Sequence, residues 1–543
     1  MCVEFLTSIL NEVFLRMPRK FLLPILLVLT GCKMPWKSTA PAGDLLRISL
    51  GSDPIVIDPQ LAESGVAVFV ARQLTSTLFE VSEELKVLPK DAQSYEWKNE
   101  GHTLVVLLKG DLFWSDNQAL TACHYRDGIL RALSPGLLSP YADLFFSIQG
   151  AESFKNGQSS QSSVSLTCDN QKRELKLELL QAYSPKILFA LSFVNSAPAR
   201  LDVMPKPDSS WLLPKKNTSG ISNGPYVLKE WQRDQRVILQ KRSNAPSYDQ
   251  AKISTIEMPI IRDANTAFTL YESGQLDVLD EIGPAQLFDI KKRSDHHSSP
   301  WLTTYMVGFS FKSNPALKNL NLRKALAAVA HQEEIPLLLP SGEQAAFAWV
   351  PPSLIPDEFQ AKQSLFNPSE ARKFFAESAK PLAKKPLRIY FNSGERHKLI
   401  MERLAHNFKE HLALKTELYP IEWKVLLSTL KFKAPDMYRY AWTAVYPDAV
   451  FFLELFHSKN INNFGGWKNQ EYDLIVEGLM QVPLDKRDAE FWKKVQRAQQ
   501  ILVRDDPAII PIYHYVKNTL IKDFVKGLRV SPLGLSALKN AQF

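Results

Sequence analysis

The only long apolar stretch in this chain is Phe21 to Leu29, nine residues that Pro24 interrupts. A stretch of this length is too short to cross a bilayer as a helix. The rest of the 543 residues must therefore bury a hydrophobic core of their own. With 45% apolar and 22% charged side chains the composition is that of a globular protein, and the chain is several times longer than one domain. We expect a large multi-domain body that folds in water.

The same apolar stretch has the order of parts found in a bacterial lipoprotein signal peptide. Arg19 and Lys20 precede it, and its last residue begins a lipobox, Leu29-Thr30-Gly31-Cys32. The cysteine thiol of a lipobox receives a diacylglyceryl group before cleavage. Lipid on Cys32 would anchor the body to a bacterial membrane, in the periplasm. The alternative is a buried apolar segment with a free thiol.

This interpretation divides the amino-terminal region into three parts. Residues 1–31 are expected to be the signal peptide, and within them residues 1–16 are expected to be an upstream extension before a start at Met17. Residues 32–43, with two prolines and several small side chains, are typical of a tether to the first folded residue.

Charge and cysteine usage exclude several classes of protein. Lys and Arg number 65 against 57 Asp and Glu, and the net charge of +8 is spread along the chain, which does not favour nucleic acid as a partner. The four cysteines contain no C-x-x-C pair and have no His at zinc-ligand spacing, so neither a structural zinc nor a redox dithiol is expected. Cys123 and Cys168 could pair in an oxidising compartment, but the sequence alone does not predict that disulfide.

Apolar periodicity predicts strands and helices in mixed order. The predicted strands are Leu45 to Leu50, Leu104 to Leu108, and a hairpin of Tyr226 to Trp231 with Arg236 to Lys241. The predicted helices are Val66 to Glu80, Thr121 to Leu133 with Thr121 as N-cap, Asn321 to Ala330, Pro368 to Ala379, Arg396 to Leu412, Glu471 to Met480 and Asp488 to Val503. The polar, serine-rich segment Gln149 to Asn170 is typical of a surface insertion. Together these elements indicate an α/β chain without the regular alternation of a barrel.

Sequence signatures of catalysis are absent. The chain has no G-x-S-x-G, H-E-x-x-H, P-loop or G-x-G-x-x-G motif. Its ten histidines are scattered, and the adjacent pair His296-His297 lies in a polar stretch typical of an exposed loop. We therefore expect a protein that is not an enzyme.

A series of short motifs follows one order along the chain. In the first half they are Ile57-Asp58-Pro59, Leu78-Phe79-Glu80, Phe113 to Asn117 with Leu120-Thr121-Ala122, Asn223 to Trp231, and Tyr271 with Ser273 to Asp277. In the second half they are Leu322 to Leu326, Asn367 to Ala371, Glu422 to Lys424, Trp442 to Asp448 and Ala508 to Tyr513. In this order the chain resembles the peptide/nickel-type extracytoplasmic solute-binding proteins of ABC importers, family 5, and most closely their oligopeptide-binding branch.

The resemblance implies a fold and a set of partners. The fold is an α/β periplasmic-binding-protein fold of two lobes, type II and cluster C, with an extra domain in one lobe. Domain I is expected at 45–75, 196–302 and 514–543, domain II at 76–195 and domain III at 303–513. The implied ligand is an oligopeptide, bound by a monomer without a cofactor or metal and passed to an ABC permease and its ATPase.

The resemblance also implies which residues contact the ligand. Tyr440-Ala441-Trp442-Thr443 matches the strand that binds the peptide backbone, and His397 and Arg439 match positions that contact a carboxylate end. Tyr141, Trp423 and the acidic Glu63 match residues that line the pocket. For the aromatic residues the alternative is core packing, and for Glu63 it is a solvated surface acid.

Two positions of the expected ligand site depart from the family pattern. Leu430 replaces a further Arg, and Val445 replaces the Asp that holds the α-ammonium group of a peptide. Either Asp448 takes over that role, although it also fits a structural loop marker, or the ligand lacks an ordinary free amino terminus. The alternatives left open are muropeptides, nickel, haem or another non-peptide solute, and a surface lipoprotein that acts in adhesion or sensing.

Overall fold

The structure, a computed structural model, describes residues 44–204, 210–214, 220–283, 285–378, 386–433, 435–444 and 446–543. The predicted signal peptide and tether, with Cys32, lie outside these residues. Within them, no helix is long and apolar enough to cross a membrane.

The strands follow in chain order: β1 (Leu45–Arg47), β2 (Phe79–Val81), β3 (Val87–Pro89), β4 (Ala92–Lys98), β5 (Thr103–Leu108), β6 (Leu166–Asp169), β7 (Glu174–Glu178), β8 (Tyr226–Gln232), β9 (Arg236–Lys241), β10 (Thr255–Pro259), β11 (Val278–Leu279), β12 (His296–Phe309), β13 (Gln344–Ala345), β14 (Leu387–Asn392), β15 (Thr416–Ile421), β16 (Met437–Thr443), β17 (Ile509–Ile521), β18 (Val530–Ser531) and β19 (Gly534–Leu535). The α-helices are α1 (Gly65–Leu74), α2 (Ala122–Leu133), α3 (Ala151–Lys155), α4 (Pro185–Ala190), α5 (Ala264–Glu272), α6 (Leu287–Ile290), α7 (Leu320–Ala327), α8 (Glu334–Leu337), α9 (Pro368–Glu377), α10 (Glu395–Leu412), α11 (Trp423–Lys433), α12 (Ala449–Glu454), α13 (Gln470–Met480) and α14 (Ala489–Gln500).

A four-stranded sheet in the order β1-β10-β9-β8 contains the predicted hairpin. β8 and β9 pair antiparallel up to Gln232 opposite Arg236, within a residue of the predicted bounds. Asp234 in the turn has a φ of 60°, a left-handed conformation that Asp adopts more readily than most residues. β1 is shorter than predicted and pairs parallel with β10, so that distant segments share this sheet.

A second four-stranded sheet, in the order β4-β5-β7-β6, corrects the interpretation of Gln149 to Asn170 as a surface insertion. β6, inside that segment, pairs with β7, and its Leu166 is buried. Cys168 on β6 forms a disulfide with Cys123 on α2, a bond that the sequence did not predict. The two cysteines are 45 positions apart, and they meet only because α2 packs against this sheet.

The largest sheet has seven strands in the order β11-β17-β12-β16-β14-β15, with β13 beside β17. Each face packs on its own hydrophobic core. Because side chains alternate along a strand, Tyr438 and Tyr440 of β16 enter one core and Met437 the other. The predicted limits of domains I and III, near 302 and 513, fall inside β12 and β17, and these boundaries remain predictions.

Most predicted helices agree with the structure to within a few residues, and α14 continues into a π-helical turn at Ile501–Asp505. Thr121 precedes α2 as predicted, and its N–H donates to Nδ1 of His124 at 3.0 Å.

The helix predicted over Val66 to Glu80 is the exception, because α1 ends at Leu74 and β2 follows. The carbonyl of Leu74 accepts hydrogen bonds from the N–H of Gly224 at 3.0 Å and the hydroxyl of Ser222 at 2.6 Å. A distant loop thus takes the acceptor that a further helical turn would have used.

Candidate functional site

β16 has one edge that is only partly paired. β12 pairs with all of its residues from Met437 to Thr443, whereas β14, on the other side, pairs only with Met437 and Tyr438. In the part of the chain that the structure describes, no strand pairs with that side of residues 440–443. We call this stretch the open edge of β16. Such an edge can accept a further strand.

The hydrogen bonds to β12 show which backbone groups face the open edge. The N–H of Ala444 donates to the carbonyl of Leu302 at 2.8 Å. In an antiparallel pair successive residues direct their N–H and C=O groups to alternate sides, so even-numbered residues of β16 face β12. The N–H and C=O groups of Ala441 and Thr443 therefore face the open edge, where an extended peptide can pair with them.

Arg439 lies where the open edge begins, and its charge has no carboxylate partner among the described residues. Its side chain is buried, with 7% of the residue exposed. Nη2 donates to the hydroxyl of Tyr515 at 3.1 Å, the guanidinium lies 4.7 Å from the ring centre of Tyr305, and Nε has no hydrogen-bond partner. Burial lowers the pKa of Arg439, but Tyr305, Tyr515 and Tyr513 outweigh this effect and raise it above its ordinary value. A buried cation with a free donor is suited to binding an anion.

His397 lies near Arg439 but is not a second cation. Its Nδ1 is 3.2 Å from the hydroxyl of Tyr305, and the two rings stack. Burial, with Arg439 and Arg396 nearby, lowers the pKa of His397 to about 3, so the ring is neutral at pH 7. The second cation is Arg396, which no sequence pattern singled out and which donates to Glu343 at 2.7 Å.

Trp423, Tyr440 and Trp442 form an aromatic row beside β16. Trp423 stacks on Tyr440 with 6.3 Å between ring centres, and Tyr440 lies 6.2 Å from Trp442. Trp442 stacks in turn on Phe451 at 5.5 Å. Tyr440 is buried, whereas Trp423 is 37% exposed. Trp423 is therefore the member of the row with the most surface free for a ligand.

Tyr141 and Glu63 lie together, and no described contact joins them to Arg439. The hydroxyl of Tyr141 donates to the backbone carbonyl of Glu63 at 3.1 Å, and its ring packs edge-on against Phe193 at 4.9 Å. Burial, with a smaller contribution from Glu63, raises the pKa of Tyr141. Glu63 itself is exposed, as expected of a solvated surface acid.

Asp448 has a structural role that leaves little for a ligand. Its Oδ1 accepts from the N–H of Val450 at 2.9 Å, which caps α12, and its two carboxylate oxygens accept from Arg487 at 2.9 and 2.8 Å. A buried carboxylate that is neutralised in this way is not a free acceptor for an ammonium group. Val445 lies outside the described residues, and Leu430 is part of a core.

A cavity of about 550 Å³ lies at the carboxyl end of β16, and we call it the cleft cavity. Its walls come from α1, β2, the residues that follow α4, Trp301, and the segment after β19. Ala444, which directly follows β16, also lines it, and so does Phe193, the ring that contacts Tyr141. A peptide paired along the open edge would therefore reach this cavity.

Comparison with known proteins places these features in a family. The model of the bacterial extracellular solute-binding proteins, family 5, matches residues 59–464. The oligopeptide-binding protein OppA of Bacillus subtilis is 27% identical over 534 residues, which are 95% of each chain.

Two solved structures are similar to the whole described body. The unliganded open form of MppA, a periplasmic murein tripeptide binding protein, has a TM-score of 0.78 at 21% identity and covers 93% of this chain and 98% of its own. Haemophilus influenzae OppA in complex with the peptide RPPGFSPFR has a TM-score of 0.71 at 24% identity, with 93% and 100% covered. The predicted α/β fold of two lobes is thereby confirmed.

Proposed function

Because the chain belongs to the bacterial extracellular solute-binding proteins of family 5, we propose that it captures oligopeptides in a cleft between two lobes and delivers them to the permease of an ABC importer. The relatives named for peptide binding support this proposal, since OppA of Bacillus subtilis matches nearly the full length. Relatives of this kind are binding proteins, and no catalytic step is proposed here.

The open edge of β16 is the observation that carries the proposal. An extended peptide has a donor and an acceptor at every residue, so a receptor for many sequences pairs best with the backbone as an added strand. Ala441 and Thr443 offer such groups, and Arg439 at the start of the edge would bind the terminal carboxylate. Peptide side chains then need only room, which the cleft cavity of about 550 Å³ provides.

The side chains around the edge complete the proposed site. His397, neutral at pH 7, would donate or accept a hydrogen bond beside the carboxylate, and Trp423 would cover the peptide with its exposed face. Tyr141 would close the opposite wall through Phe193, and Glu63 would lie at its rim. Asp448 is left out of the ligand contacts because Arg487 holds both of its oxygens.

We further propose an extracytoplasmic location with a lipid anchor on Cys32, and an ABC permease and its ATPase as partners of a monomer. Descriptions of the relatives as periplasmic support the location. The disulfide between Cys123 and Cys168 supports it independently, because such bonds persist in oxidising compartments.

Muropeptides are a second candidate class of ligand. The observation that favours them is the likeness to MppA, whose Escherichia coli form is described as a periplasmic murein peptide-binding protein and is 23% identical over 531 residues. Nothing comparable favours nickel, since among the described residues no group of three His, Cys, Asp or Glu side chains is placed to hold a metal ion.

The test of the proposed function uses tryptophan fluorescence and thermal melting of the purified protein. A pool of free oligopeptides should raise the melting temperature and change the tryptophan emission, and the emission change should be smaller in Trp423→Phe, since Trp423 lies 5.7 Å from the guanidinium of Arg439. The same pool with amidated carboxyl termini should do both more weakly. If only murein peptides stabilise the protein, the ligand class is muropeptides and not oligopeptides. No response to oligopeptides or to murein peptides would refute the proposal.

A further inference from the structure

The cleft cavity contains a guanidinium group without a partner. Arg72 belongs to the last turn of α1, is exposed, and lines the cavity. It makes no hydrogen bond and no ion pair within the described part of the chain. Although part of the side chain is in contact with solvent, desolvation by the surrounding walls lowers the pKa of Arg72, and the nearby Glu80 opposes this effect. An arginine in such a place presents unused donors to whatever enters the cavity.

The other cations of the cavity wall are already engaged. Lys90 and Lys539 both contact Asp249, at 3.2 and 2.7 Å, and each of the two is mostly buried. Asp249 contacts both lysines, and although burial lowers the pKa of Lys90, Asp249, Asp91 and Glu80 outweigh this effect and raise it. Arg72 differs from both, since nothing in the described structure accepts its hydrogen bonds.

The carboxylates of the wall divide in the same way. Asp249 forms ion pairs with the two lysines, and Glu83 accepts a hydrogen bond from Arg529 at 2.9 Å. Glu80 on β2 has neither a hydrogen bond nor an ion pair among the described residues, although it is close enough to act on the charges of Arg72 and Lys90. Among the described residues of the wall, one carboxylate and one guanidinium thus have no hydrogen-bonded partner.

The place of these two groups along the cleft defines which part of a ligand they meet. Ala444, which lines the cavity, is five positions after Arg439, which corresponds to about 17 Å of strand and to a peptide of about five residues. A peptide whose carboxylate lies at Arg439 therefore has its amino-terminal residue in the cleft cavity.

We infer that Glu80 and Arg72 select the amino-terminal residue of the ligand, with Glu80 binding its α-ammonium group and Arg72 binding an acidic side chain. The preferred substrates are then peptides with a free amino terminus and Asp or Glu as first residue. This inference rests on the proposed function, because it takes the peptide to lie along the open edge of β16.

The charges of Glu80 and Arg72 are complementary to those of a peptide with an acidic first residue. Both groups line one cavity, where the carboxylate can meet the α-ammonium group of such a residue and the guanidinium its side-chain carboxylate. Each contact is a hydrogen bond to a charged group, in a site that is partly shielded from water. A neutral first residue would use Glu80 alone. Acetylation removes the α-ammonium charge, so an acetylated Glu would use Arg72 alone and an acetylated Ala neither group.

The experiment is calorimetric titration of the full chain with pentapeptides. The probes are penta-alanine, the same peptide with Glu as first residue, and the amino-acetylated form of each. We expect the peptide with Glu first to bind tightest, and acetylation to weaken both by roughly tenfold to a hundredfold. Arg72→Gln should reduce affinity for the peptide with Glu first to that for penta-alanine, without changing penta-alanine itself.

Two further variants separate this site from general electrostatics. Glu80→Gln should abolish the difference between free and acetylated peptides. Lys229→Gln, which removes an exposed cation of β8 that does not line the cavity, should change none of the affinities. Melting of Arg72→Gln without peptide should match the wild type, because Arg72 stabilises no described partner.

Two results would overturn the inference, and a third would also overturn the proposed function. Equal binding of free and acetylated peptides would remove the role of Glu80, and equal binding of Ala-first and Glu-first peptides would remove that of Arg72. If none of the four pentapeptides binds, the proposed peptide-binding function itself fails, and the two failures are thus distinguished.

Discussion

Replacing Arg439 by Met should separate ligand binding from stability. Arg439 is buried, with no carboxylate partner among the described residues and with an unused Nε donor. A carboxylate in front of it would accept two hydrogen bonds from the guanidinium, each contributing about 1.5 kcal/mol or more. Losing both amounts to about 3 kcal/mol, a loss of roughly a hundredfold in affinity.

The same substitution should not weaken the fold. An uncompensated buried charge is costly, and replacing buried charges by apolar side chains of similar volume is often neutral or stabilising by about 1 to 4 kcal/mol. The contact with the ring of Tyr305 and the hydrogen bond to Tyr515 are lost, which offsets part of that gain. We therefore expect the free energy of unfolding of Arg439→Met, without peptide, to equal or exceed that of the wild type.

Arg388→Met is the matched control on the neighbouring strand. Arg388 donates to both oxygens of Asp436, at 2.9 and 3.1 Å, and Asp436 is buried. Removing this arginine leaves a buried carboxylate without its cation, so urea unfolding should begin at lower concentration while peptide affinity is unchanged.

The assay is calorimetric titration with a pentapeptide and its carboxyl-terminal amide, together with urea unfolding. In the wild type the free acid should bind far more tightly than the amide, and in Arg439→Met the two should bind alike. The reasoning is refuted if Arg439→Met keeps the preference for the free acid, or if it loses both peptides equally and unfolds more easily.

Three further outcomes follow from the structure. Ala441→Pro should weaken peptide binding by up to about tenfold without unfolding the protein, because its N–H faces the open edge and not β12, whereas Tyr440→Pro should disrupt the β12 pairing and lower the melting temperature. His397 and His514 have a pKa lowered to about 3, so between about pH 6.5 and pH 3 the unfolded chain binds protons that the folded chain does not. The free energy of unfolding should therefore fall as the pH falls through this range. Urea titrations at several pH values should show a weaker pH dependence in His514→Gln. Cys123→Ala should destabilise the protein by about 4 kcal/mol, as expected for opening a loop of 45 residues, and Cys168→Ala should match it; wild-type stability in either variant would mean that the bond does not constrain the unfolded chain.

Local sequence patterns predicted those elements whose causes are local. The hairpin of β8 and β9 follows from two alternating runs and a turn, and Thr121 was recognisable as the residue before α2. The end of α1 was not, because Gly224 and Ser222, far along the chain, take the carbonyl of Leu74.

Residues of the candidate site could be predicted from the sequence only at positions that match the family's motifs. The family resemblance singled out Arg439 and Tyr440, and the structure places both beside the open edge. It could not show that His397 is neutral, since the cause is burial together with the charges of Arg439 and Arg396. Arg72 carried no sequence signal at all, because what distinguishes it is its place in the cleft cavity without a partner among the described residues.

Hydrogen exchange along β16 tests most directly whether peptides bind as an added strand. The amides of Ala441 and Thr443 face the open edge, so without ligand they should exchange faster than those of Tyr440 and Trp442, which face β12. A saturating pentapeptide with a free carboxyl terminus should slow exchange at Ala441 and Thr443. A peptide that binds and leaves both amides as fast as before would contradict pairing along this edge.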